Sequence, residues 1–152
     1  EIRPRDWSSD VCSSDLNAWE FGGVACSVAN TGTGQTATVE LTYGSDVTCT
    51  FTNRLRPTLT IQKYTTGGAD TFQFTVTGAT SLNTSITTAG LPFFGATTAT
   101  PINIGEHTVS EIQLAGWTLT DFTCTLGSGT DTNNNGIPDI WTFNAKYGDN
   151  VV

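Results

Sequence analysis

Hydrophobic and polar residues alternate along much of the chain. Between Thr71 and Thr77, the apolar side chains of Phe72, Phe74 and Val76 are separated by polar ones. A period of two is typical of a β-strand with one buried face. The same pattern predicts strands at Ala37–Thr42, Val47–Asn53, Thr58–Tyr64, His107–Ile112, Trp117–Thr125 and Ile140–Ala145. Because no segment has helical spacing, we predict an all-β fold, an antiparallel β-sandwich.

Two short motifs recur in the same order. A tryptophan precedes a cysteine by seven residues twice, and a Tyr-Gly-x-x-Val motif also occurs twice. The copies begin at Trp19 and Trp117, and at Tyr43 and Tyr147. The offsets of 98 and 104 residues mean that the later copy contains a loop six residues longer. A period near 100 residues predicts whole domains in tandem.

The repeat predicts the domain boundaries. Residues 17–54 would be the C-terminal part of a first repeat, residues 55–57 a linker, and residues 58–152 a second repeat. The first copy continues from its Tyr-Gly motif into Thr48–Asn53. The second copy reaches only Val152, so we expect it to lack its last strand.

The first sixteen residues differ from the rest. Residues 5–16 read RDWSSDVCSSDL, which resembles the translation of a sequencing-library adapter. A native serine-rich linker is the alternative. We therefore interpret residues 1–16 as a non-native segment, expect it to be disordered, and exclude Cys12 from functional reasoning.

Composition narrows the classes of partner. The chain has 152 residues, a net charge of −8, and only 13% charged residues. An acidic surface repels phosphate backbones, so we expect no nucleic-acid partner. No run of about 18 apolar residues is present, so we expect no membrane insertion in this segment.

The order of several short motifs resembles a known family. These motifs are Leu59–Lys63, Thr71–Phe74, Gly105–Glu111, Gly116-Trp117 and the closing Cys49–Asn53. The order and spacing are similar to those of prealbumin-like domains of bacterial surface proteins and pilins, also called transthyretin-like, collagen-adhesin B-type or SpaA-like. The resemblance implies a prealbumin-like or Ig-like sandwich, here with a partial preceding repeat.

The resemblance also implies a role. Such domains serve as rigid spacers or adhesive modules outside the cell, so we predict a non-enzymatic stalk or spacer repeat at the cell surface, without a cofactor. Its partners would be neighbouring repeats of the same chain. The alternative is a module that binds glycan or a host or matrix protein, in which Phe93, Phe94 and the loop around Asp131 would make contact. A further alternative is the accessory domain of a cell-wall-active enzyme.

The cysteines indicate an oxidising compartment. Cys26 and Cys49 lie on two predicted strands of the first copy, and we predict a disulfide between them. Cys124 would then be left without a partner. Two free thiols, a zinc site, or a Cys49–Cys124 bond are the alternatives.

Polar residues occupy core-facing registers at Lys63, Glu111 and Asn53. Many domains of the resembled family crosslink a lysine on the first strand to an asparagine on the last. By that resemblance, Lys63 would attack an asparagine side chain while Glu111 moves protons. The asparagine for Lys63 would lie after Val152, and Asn53 is its equivalent in the first repeat. A lysine at a strand end that reaches solvent, with a surface glutamate, is the alternative.

The segment Asp131–Asp139 has oxygen-bearing side chains at positions 1, 3, 5 and 9 and glycine at position 6. This is part of a calcium-loop pattern, with Asp131, Asn133, Asn135 and Asp139 as ligands of a weak site. A plain hairpin turn through Asn135-Gly136 explains the segment equally simply, and we favour it. The single histidine, His107, lacks the motifs of a catalytic triad, and we interpret it as structural.

Overall fold

The computed structural model describes residues 18–152. The segment interpreted as adapter-derived, with its expected disorder, lies outside the described residues. The described chain consists of short strands: β1 (Trp19–Cys26), β2 (Asn30–Thr31), β3 (Thr38–Val39), β4 (Cys49–Leu55), β5 (Thr58–Leu59), β6 (Gln62–Thr65), β7 (Thr71–Gly78), β8 (Leu82–Thr87), β9 (Phe93–Ala96), β10 (Thr100–Pro101), β11 (Gly105–Ile112), β12 (Ser128–Thr130), β13 (Ile140–Ala145) and β14 (Asn150–Val151). No helix long and apolar enough to cross a membrane occurs between residues 18 and 152.

The chain divides into two compact units between Leu55 and Arg56. In the first unit, β1 pairs antiparallel with β4 and brings Cys26 opposite Cys49. A short hairpin, β2–β3, lies between these strands in sequence. No residue from 18 to 55 is buried, so this unit has little hydrophobic stabilisation of its own.

The second unit is built on a five-stranded antiparallel sheet in the order β12-β13-β11-β7-β8. Two smaller sheets complete it, one of order β10-β5-β14 and one that pairs β6 with β9. The inward-facing side chains of the strands alternate with exposed ones, as the period of two predicts. The all-β sandwich predicted from the sequence is therefore confirmed.

The second unit encloses two adjoining apolar clusters. The larger contains Leu59, Val76, Ile102, Val109, Phe143, Ala145 and Val151. The smaller contains Phe72, Phe74 and Ile86, with Trp117 packed against it. Burial of each such large side chain contributes about 1.5–3 kcal/mol, so the folding energy of the chain is concentrated after Arg56.

Some strand predictions are wrong. The segment Trp117–Thr125 contains no β-strand, because β-structure requires a hydrogen-bonded neighbour and no strand within residues 18–152 pairs with it. The predicted strand Thr58–Tyr64 is interrupted between β5 and β6. The polar, partly exposed strand β8 was not predicted.

The core position expected for Asn53 is also wrong, and two large aromatic side chains of the first unit are exposed. Trp19 is 46% exposed and Phe51 is 51% exposed. Asn53 lies opposite Phe21 in the β1–β4 ladder and is exposed, although its register suggested a core position. A period of two identifies one face of a strand, but a second layer must cover that face before it becomes a core.

Candidate functional site

The side chains of Lys63 and Glu111 meet inside the second unit. Lys63 Nζ donates a hydrogen bond of 2.7 Å to Glu111 Oε2, and the two side chains are only 13% and 11% exposed. The ammonium group also lies 4.4 Å from the centre of the Phe72 ring, within range of a cation–π interaction. The pair joins β6, in the two-stranded sheet, to β11, in the five-stranded sheet. Because both side chains are largely buried, the alternative of a lysine that reaches solvent and a surface glutamate is wrong.

The ion pair lies in the wall of a groove of about 820 Å³. The strand β6 forms one side of the groove, and the segment 116–125 forms the other. Phe72, Phe74 and Val109 contribute apolar surface to it. A groove of this size can receive another group.

The cysteines differ between the two units. Cys26 and Cys49 form a disulfide across β1 and β4, separated by 23 residues in sequence, as predicted. Cys124 is a free, partly exposed thiol that lines the groove. The alternative Cys49–Cys124 bond and the zinc site are both wrong for the described chain.

Trp117 is held at one end of the groove. Its ring packs edge-on against Phe72 with centroids 5.2 Å apart, and its Nε1 donates a 2.9 Å hydrogen bond to Asp70 Oδ2. The backbone amide of Thr71 and the Trp117 indole lower the pKa of Asp70 below its ordinary value. The hydrogen bond between Trp117 and Asp70 was not predicted from the sequence, because Asp70 lies 47 residues before Trp117 and belongs to no recognisable motif.

The polar side chains of the loop 131–139 accept hydrogen bonds from the backbone amides of the same loop. Asp131 Oδ2 accepts from the amide of Gly136 at 2.7 Å, and Asn135 Oδ1 accepts from the amide of Ile137 at 2.8 Å. The Thr132 hydroxyl, followed by the Thr132 amide, lowers the pKa of Asp139. The candidate ligands Asp131, Asn133, Asn135 and Asp139 are thus engaged in turns. No cluster of three or more His, Cys, Asp or Glu side chains suited to a metal occurs among residues 18–152.

His107 is completely buried and stacks on Phe143 with centroids 5.2 Å apart. Its Nδ1 lies 2.9 Å from the carbonyl oxygen of Gly105, so this nitrogen carries the hydrogen. The residue therefore packs in the core, away from the groove.

Phe93 and Phe94 belong to the strand β9 rather than to a loop tip. Phe94 is 36% exposed, and its ring lies 4.7 Å from that of Tyr64, which is 63% exposed. Leu91, just before this strand, is 86% exposed. Tyr64 and Phe94 thus form a small exposed aromatic patch, and Leu91 is a separate exposed apolar side chain.

Comparison with known proteins identifies the second unit. No match was found among curated proteins or among solved structures. The model of the family described as the prealbumin-like fold domain matches residues 59–152. This match covers the sheets, the groove and the Lys63–Glu111 pair, and it confirms the resemblance seen in the motifs. The chain belongs to the prealbumin-like fold domain family.

Proposed function

We propose that the chain is part of a tandem array in an extracellular bacterial surface protein, where it serves as a non-catalytic stalk or spacer. The family membership supports a structural module of this kind. The disulfide between Cys26 and Cys49 supports an oxidising compartment outside the cytoplasm. The burial of His107 in the core supports a role without catalysis.

The observation that carries the proposal is a turn that occurs in both units. In the first unit, the Ser45 amide donates to the Thr42 carbonyl, and the Ser45 hydroxyl accepts from the Thr42 amide. In the second unit, Asp149 and Lys146 make the same two contacts. The glycines within these turns, Gly44 and Gly148, have φ angles of 80° and 82°.

The sequence offset is the same for all these residues. Thr42 and Lys146 are 104 positions apart, as are Gly44 and Gly148. Such agreement in both sequence and hydrogen bonding is expected when two copies of one domain stand in series. A tandem series of rigid domains is the ordinary construction of an extended spacer.

The location can be tested on intact cells of the source bacterium. Antibodies against residues 56–152 are expected to label unpermeabilised cells, and brief protease treatment of the cell surface should remove the label. An antibody against an internal protein serves as the control for cell lysis. Labelling that requires permeabilisation would contradict the proposal.

A binding module is the second candidate, supported by the exposed aromatic patch of Tyr64 and Phe94. Aromatic pairs at a surface offer stacking area to sugars and to protein side chains. A glycan array and a matrix-protein pull-down test this function. Binding that is lost in Tyr64→Ser with Phe94→Ser, but kept in the matched exposed variant Ile104→Ser, would favour this function. Binding that is kept in both variants would exclude the patch as the binding site.

The same binding assays, run without calcium and with about 5 mM calcium, test whether the loop 131–139 binds calcium weakly. The expected affinity is of the order found in extracellular calcium modules.

A self-crosslink through Lys63 is a third proposal, supported by its contact with Glu111. Lys63 Nζ would attack the side-chain carbon of an asparagine, an amide bond would form, and the asparagine nitrogen would leave as ammonia while Glu111 transfers protons. The product would be lighter by about 17 Da from the lost ammonia. Intact-mass measurement of a repeat that contains both residues tests the reaction, and Glu111→Gln should abolish the mass loss. An unchanged mass would refute it.

A further inference from the structure

The groove beside Lys63 has two walls with backbone edges that are open to pairing. The strand β6 pairs with β9 along one edge. Its other edge takes part in no β-ladder within residues 18–152. The opposite wall, residues 117–124, contains no strand in the described structure. Exposed edges of this kind accept an additional strand.

The first unit shows what such a strand looks like. The Ser27 amide donates to the Thr48 carbonyl at 2.8 Å, and the Thr48 amide donates to the Ser27 hydroxyl at 3.1 Å. These contacts lie at the start of the β1–β4 ladder. Immediately after Thr48, Cys49 stands opposite Cys26 and forms the disulfide.

The second unit contains the same two contacts at the mouth of the groove. The Thr125 amide donates to the Val152 carbonyl at 2.9 Å, and the Val152 amide donates to the Thr125 hydroxyl at 3.1 Å. Thr125 follows Cys124 as Ser27 follows Cys26. A strand that continues in line from Val152 therefore places its first residue opposite Cys124.

The other wall gives the same register independently. β14 runs parallel to β5, with Val151 opposite Leu59. In this direction, the first and third residues of a continuing strand lie opposite Ile61 and Lys63. Their side chains point to the same face as Val151, which is completely buried, so they point into the groove.

We propose that the groove is a binding site for one further β-strand with the sequence type of Cys49–Asn53, entering in line from Val152. Its cysteine bonds to Cys124, and its phenylalanine, the third residue, packs on the apolar surface beside Phe72 and Phe74. Pairing on both sides converts the segment 117–124 into a strand equivalent to β1. This site follows from the groove and its edges, and it does not depend on the role as a spacer.

The peptide acetyl-Cys-Thr-Phe-Thr-Asn-Arg-Leu-amide, which has the sequence of β4, is the direct probe. It is mixed with the full chain carrying Cys12→Ser, in a buffer of reduced and oxidised glutathione. The peptide thiol and the Cys124 thiol each lose a hydrogen as their sulfurs bond, and one oxidised glutathione becomes two reduced glutathiones. Peptide mapping by mass spectrometry locates the bond.

The matched control is acetyl-Cys-Phe-Thr-Asn-Thr-Arg-Leu-amide, which has the same composition and cysteine but turns the phenylalanine to the outer face. We expect at least a tenfold larger equilibrium yield of the Cys124 adduct with the first peptide. We also expect slower hydrogen exchange of the amides 117–125 in that adduct. Equal yields for the two peptides would show thiol reactivity alone and would overturn the proposal.

Two further measurements remove the dependence on the thiol. In the Cys124→Ala chain, the first peptide should still slow amide exchange at residues 117–125, and the control peptide should not. No protection by either peptide would overturn the proposal. Concentration-dependent dimers of the chain alone, with 117–125 protected in the dimer, would also overturn it, because a second copy would then be the occupant.

Discussion

The two Trp-x6-Cys segments begin from the same sequence motif and have different structures. Trp19–Cys26 is a strand because Cys49–Leu55 pairs with it. Trp117–Cys124 is not a strand in the described chain, although Trp117 is anchored to Asp70 and Phe72. Within residues 18–152, the first segment has a neighbouring strand but no apolar layer that covers it. The second packs against the apolar clusters but has no neighbouring strand in the same range. Strand formation here depends on the neighbouring backbone, and stability depends on the second layer.

The largest expected effect tests where the core lies. Phe72→Ala removes a completely buried ring, and we expect it to lower the free energy of unfolding of the second unit by about 3–5 kcal/mol. Phe51→Ala in the first unit is the matched control, because Phe51 is half exposed. Urea unfolding followed by Trp fluorescence measures both. Equal losses for the two variants would contradict the contrast between the units.

Removal of the disulfide should affect the first unit selectively. A bond that closes a 23-residue separation stabilises the folded state by about 3 kcal/mol in the chain-entropy model. In Cys26→Ala with Cys49→Ala, we expect hydrogen exchange in β1 and β4 to become fast while β7 and β11 remain protected. Cys124→Ala is the control and should leave both units unchanged. Persistent protection of β1 would mean that packing, rather than the bond, holds the pair.

The ion pair in the groove should show a non-additive effect. Glu111→Gln leaves the largely buried Lys63 ammonium without its counter-charge, which we expect to cost about 1–3 kcal/mol. Lys63→Met combined with Glu111→Leu should cost less than Lys63→Met or Glu111→Leu alone, since both buried charges are then removed. Thermal unfolding of the unchanged chain, these two single variants and their combination gives the coupling. Additive losses would show that the two side chains act independently.

The smallest expected effect concerns the longer loop of the second copy. The pKa of Asp139 lies below its ordinary value of 3.8, so the folded state binds a proton less readily than the unfolded state. Its stabilisation is therefore complete above about pH 4 and is lost as the pH falls through the lowered pKa. Asp139→Asn should flatten the decrease in melting temperature below pH 4, and Thr132→Val should flatten it partly. Identical pH profiles for all three chains would refute this role of the Thr132 contact.

The sequence predicted those elements whose two faces differ clearly. Ile140–Ala145 was predicted with its observed bounds, and Phe72, Phe74 and Val76 are all buried as expected. Leu82–Thr87 was missed because polar residues interrupt its apolar ones. Trp117–Thr125 was predicted wrongly because alternation describes one strand and says nothing about its neighbour.

The site was only partly predictable for a similar reason. Periodicity placed Lys63 and Glu111 on inward faces, but their 2.7 Å contact depends on how two sheets stack across 48 residues of sequence. The groove could not be foreseen from residue types, because it is formed by edges that lack a neighbour. The internal repeat supplied the needed information, since it identified Thr125 and Val152 as equivalents of Ser27 and Thr48.

The parallel arrangement of β5 and β14 has a mechanical consequence. The polypeptide enters the second unit at Thr58 and travels along β14 in the same direction at Val151. Tension applied through these two ends slides the strands lengthwise against each other. The bonds from Thr58 N to Asp149 O and from Thr60 N to Val151 O are then loaded together instead of opening one after another.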